Sequence, residues 1–235
     1  YNPQSGLQTH RFSWVMKWLG IAVDDDQARC TIADKLRLVQ TVFRRHGIRV
    51  SCLPTQKPGH ATELAAACVA SSTDLIVAMG GDGTINEIIN GMQGHAIPLG
   101  VIPTGTANVF AKQFDIPLSI ELACERIIQG RSAMIDLGCV NGHYFACMAG
   151  VGFDAHIIRL ADRRWKFKIG PLGYLIEAIK AAICYRFLPI QFRIDDQPNI
   201  QNGYIVIVFN TQYYGGRLVF TPQAHCQDGV LDVFV

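Results

Sequence analysis

The chain has 235 residues, of which 49% are hydrophobic and only 17% charged, and a formal net charge of +2. That is length for one large domain or two modest ones, with ample apolar content for a core. It excludes a nucleic-acid binder that relies on bulk positive charge, and no apolar run approaches the ~20 residues of a membrane span.

The opening, Asn2-Pro3-Gln4-Ser5-Gly6, is turn-rich and would follow a strand; Asn2 and Ser5 could hydrogen-bond a nucleotide or simply form a loop. Residues 7–30 are strongly apolar, with Trp14, Trp18 and Leu19 among them. They read as a helix, either packed in the core or lying at a bilayer surface. Residues 31–46 form a clear amphipathic pattern, with Ile32, Leu36, Val39, Val42 and Phe43 on one face. Thr31 and Asp34 resemble an N-terminal cap, and Gly47 closes the end. Residues 48–53 read as a strand, 55–60 as a loop and 61–70 as a helix.

Residues 74–91 organise the rest. A short continuous apolar run, ending at Met79, suits a strand buried on both faces. Ile85, Ile88 and Ile89 follow at helical spacing and stop at Gly91. Between them lie Gly80, Gly81, Asp82, Gly83 and Thr84. A glycine turn that opens a helix presents free N–H groups to an anion. Asp82 would repel bare phosphate, so the combination suggests a nucleotide with a metal ion; a ligand-free turn is the bland alternative. A second unit comes soon after: strand 97–102, the turn Pro103-Thr104-Gly105-Thr106-Ala107-Asn108, and helix 109–114. Alternating strands and helices predict a parallel sheet, in which both turns would face one crevice at the strands' carboxyl ends.

Residues 119–130 read as a helix capped by Ser119, with Ile120, Cys124, Ile127 and Ile128 inward. The pattern then turns antiparallel. Strands 133–140 and 143–149 flank Asn141-Gly142, a hairpin signal, and 191–195 should pair with 204–210. A helical stretch carrying Leu172, Leu175, Ile176, Ile179 and Ile183 lies between, in basic surroundings that include Arg159, Arg163, Arg164, Lys166, Lys168 and Lys180. These charges form either a solvated face or a contact for anionic head groups. Asp228-Gly229 is a turn before a strand, either a plain hairpin turn or a hard-cation site. The eight cysteines form no Cys-x-x-Cys pair and read as reduced core residues of a cytosolic protein. The expected fold is an α/β nucleotide-binding domain with a parallel sheet over residues 1–131, followed by a mostly antiparallel β-sandwich domain over 132–235 that is incomplete at its C-terminal end.

Taken in order, Asn2-Pro3-x-Ser5-Gly6, Gly80 to Glu87, Gly105-Thr106-Ala107-Asn108, Asp136-Leu137-Gly138, Gly150-x-Gly152-Phe153-Asp154, Gly215-Gly216 and Pro222-x-Ala224 with Asp228-Gly229 resemble the diacylglycerol kinase catalytic-domain family. That family also holds sphingosine and ceramide kinases and bacterial lipid kinases. The resemblance implies transfer of the γ-phosphate of ATP to a lipid hydroxyl, first of all that of diacylglycerol, at a membrane surface, by a cytoplasmic, peripherally associated enzyme. It implies that ATP is bound by Asn2, Ser5, Thr55, Gly81, Asp82, Gly83, Thr84, Ile85, Asn86, Glu87 and Thr106. It places Mg2+ on the backbone carbonyls of His225 and Val230 and on Asp228, and makes Asp82 the most damaging single substitution. The partners are then nucleotide and lipid, not nucleic acid, with room for a homodimer. Val109 stands where bacterial members usually carry Asp, Arg217 where a third glycine is common, and residues 7–30 form a longer link than usual. The family's general base is expected beyond residue 235. An NAD kinase, which shares the Gly-Gly-Asp-Gly turn, and a non-catalytic nucleotide- or lipid-binding module are the competing readings.

Overall fold

A computed structural model of the protein describes residues 31–71, 73–156, 185, 187–216 and 218–235. Asn2, Ser5, residues 7–30, the helical stretch around Leu172 with its basic neighbours, and Arg217 lie outside the described residues.

Helix α1 (Ile32–Arg45) starts at a reciprocal cap. Asp34 N donates to Thr31 Oγ1 at 3.2 Å, and Thr31 N donates to Asp34 Oδ2 at 3.0 Å. Its apolar stripe buries Val39, Val42 and Phe43. Residues 48–53, expected as a strand, are unpaired in any ladder among the described residues. Ile48 and Leu53 are 39% and 42% exposed, and Val50 packs against the neighbouring core. A run that leaves so much apolar surface in water lacks the buried face that specifies a strand.

Next come α2 (His60–Ala70), β1 (Ile76–Gly80), α3 (Asp82–Gly91), β2 (Leu99–Pro103), α4 (Val109–Gln113) and α5 (Ile120–Ile128). Strands β1 and β2 pair in parallel, with Ile76 opposite Leu99 and Gly80 opposite Pro103. Their alternate side chains enter two cores. Ile76, Ala78 and Val101 pack with Ala61 and Ala65 of α2 and with Ile85, Ile88 and Ile89 of α3. Met79 and Ile102 pack with Val39, Val42 and Phe43 of α1 and with Ile120, Ala123 and Cys124 of α5. The result is an α/β/α layering, which is why both strands read as continuous apolar runs. Each fully buried Ile or Phe in these cores contributes about 1.5–3 kcal/mol. Ser119 takes the N-cap position of α5, but its hydroxyl forms no capping bond.

The second half is antiparallel. β3 (Gly138–Val140) and β4 (His143–Phe145) make the expected hairpin, and Asn141 and Gly142 at its tip both have positive φ, 50° and 80°. The strands are shorter than 133–140 and 143–149, because Ala146 leaves the ladder to bury itself in the core of the α/β half. β5 (Met148–Gly152) then starts a separate sheet. β6 (Ile190–Phe192) pairs with β7 (Gln201–Gly203), which corrects the expected pairing of 191–195 with 204–210. β8 (Ile205–Phe209) instead sits between β5 and β11 (Asp232–Phe234). Val206, Ile207 and Phe209 are all buried, and a strand buried on both faces belongs in the middle of a sheet. The short pair β9 (Tyr213–Tyr214) and β10 (Leu218–Val219) completes this half. Among the described cysteines Cys124 and Cys226 are buried, whereas Cys139 is exposed on β3 rather than part of the core.

Candidate active site

The register of β1 and β2 decides where the two turns go. Gly80 lies opposite Pro103, and Thr104 N donates to Gly80 O at 2.9 Å, so both chains leave the sheet side by side. The backbones of the turns touch: a Cβ built on Gly105 would stand 2.5 Å from Gly81 Cα. No side chain larger than hydrogen fits at Gly105 unless the turns part, whereas a Cβ on Gly81 would be tight, 3.1 Å from Gly105 Cα. Asn108, in the left-handed region at φ 47°, closes the second turn on itself. Its Oδ1 accepts from Gly105 N and its Nδ2 donates to Gly105 O, each at 3.0 Å.

Asp82 joins the turns. Its Oδ1 accepts the N–H of Phe110, in the first turn of α4, at 2.9 Å. Gly83 and Thr106 are exposed at the mouth, and a Cβ on Gly83 would meet nothing within 4 Å. Ile85 is 2% exposed, so its side chain belongs to the core and only its backbone can face a ligand. Glu87 is turned elsewhere. Its two oxygens accept from Gly59 N at 3.0 Å and Ala61 N at 3.1 Å, capping α2 and holding the loop that carries half-buried Thr55. Asn86 and Thr84 are half-buried on α3.

Three residues with no part in the sequence-derived site hold the two halves together. Asn90, one turn beyond Asn86, donates to Tyr144 O at 2.8 Å and accepts from Tyr144 N at 2.9 Å, acting as a substitute strand edge for β4. Gln113 Oε1 accepts from Gln212 N at 3.1 Å. Lys112 Nζ donates to Gly216 O at 2.5 Å. Lone amides and a lone lysine on short helices carry no sequence signal for such pairings. Cys147, next to β5, lies close enough to Asp82 to feel its charge: burial, and then the Asp82 carboxylate, push its thiol up to about 12.

The turn with the predicted metal ligands is fastened to Asp136. Asp136 N donates to Cys226 O at 2.7 Å, and Gly229 N donates to Asp136 Oδ2 at 2.8 Å. Asp228 Oδ1 accepts from Val230 N at 3.0 Å, while His225 O accepts from Gln227 N at 2.8 Å. Among the described residues no three His, Cys, Asp or Glu side chains cluster as a metal site. A set of two carbonyls and one carboxylate would not form such a cluster, and its all-oxygen chemistry suits a hard cation.

A parallel α/β half with two apposed glycine turns is joined to an antiparallel β half, the two-part fold expected of the kinases that the sequence resembles. The comparisons give the particular family. The diacylglycerol kinase catalytic domain matches residues 23–140, and the YegS C-terminal NAD kinase beta sandwich-like domain matches residues 147–235. A diacylglycerol kinase of Bacillus subtilis (strain 168) is 32% identical over 225 residues, covering 94% of this chain and 74% of that protein. One from Mycobacterium tuberculosis (strain ATCC 25618 / H37Rv) is 35% identical over 181 residues, covering 74% of this chain and 58% of that protein. The crystal structure of a diacylglycerol kinase from Bacillus anthracis str. Sterne superposes with a TM-score of 0.67 at 28% identity, over 88% of this chain and 68% of that one. The chain belongs to the diacylglycerol kinase catalytic-domain family of lipid kinases.

Proposed function

We infer that the chain transfers the γ-phosphate of ATP to the hydroxyl of diacylglycerol, giving phosphatidic acid. The observation that carries this reading is the contact of Gly81 with Gly105, which sets the backbones of the two turns against each other at the ends of the paired strands. In this reading the N–H groups of Gly81, Asp82 and Gly83, with Thr84 and Thr106 beside them, hold the phosphates, and Asn2, Ser5, Thr55, Ile85 and Asn86 complete the nucleotide contacts. Glu87 contributes by holding the Thr55 loop on α3, one N–H on each oxygen, with acceptor capacity left for a nucleotide contact. Asp82 keeps the turns together through Phe110 N–H and presents negative charge at the mouth. The carbonyls of His225 and Val230 and the carboxylate of Asp228 would hold Mg2+, which supplies charge neutralisation when bound. Catalysis would rest on positioning and electrostatics, as in other phosphoryl transfers.

We assign nucleotide binding to residues 1–131 and the lipid side to 132–235. The enzyme would be cytoplasmic and meet its lipid as a peripheral protein. Among the described residues no helix is long and apolar enough to cross a membrane. The test is a lipid-panel assay with γ-labelled ATP and Mg2+ on the full chain. Label on diacylglycerol, lost in Asp82→Asn, supports the reading; label on NAD alone, or on no lipid, overturns it.

A further inference from the structure

Outside the candidate site, one carboxylate among the described residues is buried and unused, that of Asp154. Asp154 is 5% exposed, lies just after β5, and accepts the Tyr214 hydroxyl on Oδ1. Its Oδ2 is buried with no hydrogen-bond partner among the described residues. A Cβ on Gly150 would collide with that oxygen, so the glycine leaves room for the carboxylate. A buried carboxylate with an unsatisfied oxygen is costly, and such a group is kept when it holds something in place. Tyr214 is what it holds. The ring is packed against Phe220, with centroids 5.0 Å apart, and the hydroxyl is pinned by Asp154.

Tyr214 leads into Gly215-Gly216, and this loop reaches the other half. Gly216 O accepts from Lys112 Nζ of α4, and a Cβ on Gly216 would lie 4.0 Å from Ala107 O in the second glycine turn. Gln212, on the other side of β9, is held by Gln113 of the same short helix. One continuous path therefore runs from Asp154 through Tyr214 and Gly216 to Lys112 and Ala107.

We propose that Asp154 and Tyr214 are a positioning pair, which holds the Gly215-Gly216 loop of the β half against the turn of residues 105–108 and so keeps that turn in its ligand-ready shape. For its effect on nucleotide, this inference rests on the kinase reading; for the coupling itself, it rests on geometry alone.

Amide hydrogen exchange on the full chain, without nucleotide, tests the coupling. Tyr214→Phe removes one hydroxyl and keeps the ring. Exchange should quicken about ten-fold at residues 212–216 and, across the junction, at residues 105–110, the scale of one lost hydrogen bond. Faster exchange confined to 212–216, or none, overturns the proposal. Should Tyr214→Phe fail to fold, Lys112→Met releases the same loop from its other end and should quicken the same two segments; an unchanged 105–110 segment there overturns it equally. Binding of a fluorescent ATP analogue gives the second readout. Its Kd should rise about ten-fold in Tyr214→Phe, and adding Asp154→Ala should weaken it no further, because both changes cut one bond. Additive losses would overturn the pair. Coupled exchange in a chain that transfers no phosphoryl group would uphold the latch and sink only the kinase reading.

Discussion

The Asp82 carboxylate accepts the backbone N–H of Phe110 at 2.9 Å, and that single bond ties the first glycine turn to the helix that follows the second. Asp82 therefore has a structural task as well as the chemical one proposed for it, and the two can be separated. Asp82→Asn keeps an oxygen acceptor for Phe110 and loses the charge. It should fold with near-native stability while phosphoryl transfer falls by roughly 100-fold or more, the scale of a lost charged group at a reacting centre. Asp82→Ala should lose activity and also about 1.5–3 kcal/mol of stability, as for a hydrogen bond to a charged group. Urea unfolding beside the kinase assay distinguishes them.

The two turn glycines predict opposite outcomes. Gly105→Ala drives a methyl group to 2.5 Å from Gly81 Cα, so both turns must part, and stability and nucleotide affinity should fall together. Gly83→Ala meets nothing within 4 Å and sits in a helix, where Ala gains about 0.5–1 kcal/mol over Gly. Its added methyl would project into space assigned to the phosphates. Thermal unfolding should show Gly83→Ala as stable as the native chain or more so, while titration with an ATP analogue shows weaker binding.

Glu87 takes N–H groups from Gly59 and Ala61 at the start of α2. Glu87→Ala leaves both donors without a protein partner and should cost about 1–2 kcal/mol, the scale of a lost helix cap. Since the same loop carries Thr55, KM for ATP should rise more than kcat falls. A loss of kcat at unchanged KM and unchanged stability would instead place the Glu87 carboxylate on the reacting groups.

Burial, with added repulsion from Asp82, pushes the Cys147 thiol up to about 12, and burial with Glu121 and Glu125 pushes Cys124 up to about 11, from the ordinary 9.0. A raised thiol pKa means that the folded chain holds its proton more tightly than the unfolded chain. This contribution is complete below pH 9.0 and is lost as pH rises toward about 11–12. Urea midpoints should be flat with respect to these groups from pH 7 to 8.5 and fall from pH 9 to 10.5, less steeply in Cys147→Ala. Neither thiol should alkylate rapidly at neutral pH, which fits core packing rather than nucleophilic chemistry.

Much of the α/β half, and the first hairpin of the antiparallel half, was legible because the signals there are local and mutually consistent. The Thr31–Asp34 cap, the Ile85, Ile88 and Ile89 stripe, the stop at Gly91 and the Asn141-Gly142 hairpin each follow from spacing or backbone preference. What misled was non-local. The turn region between 191–195 and 204–210 suggests that those runs pair, but burial on both faces draws β8 into the centre of another sheet. The run at 48–53 had the composition of a strand without a face to bury. At the site, motif spacing pointed to both turns, yet it could not show that the Glu87 side chain caps a neighbouring helix or that Asn90 grips Tyr144. Those contacts join residues 26 and 54 positions apart, set by packing rather than by any local pattern.

The central claim is that the turns after β1 and β2 hold one nucleotide between them. A crystal structure of the full chain with Mg2+ and a non-hydrolysable ATP analogue tests it most directly. The account predicts phosphate oxygens within hydrogen-bond reach of backbone N–H groups from residues 81–83 and of Thr106, since the N–H groups of Thr84, Thr104 and Gly105 are already bonded within the turns. Phosphates bound by neither turn, or by one with the other facing away, would contradict it.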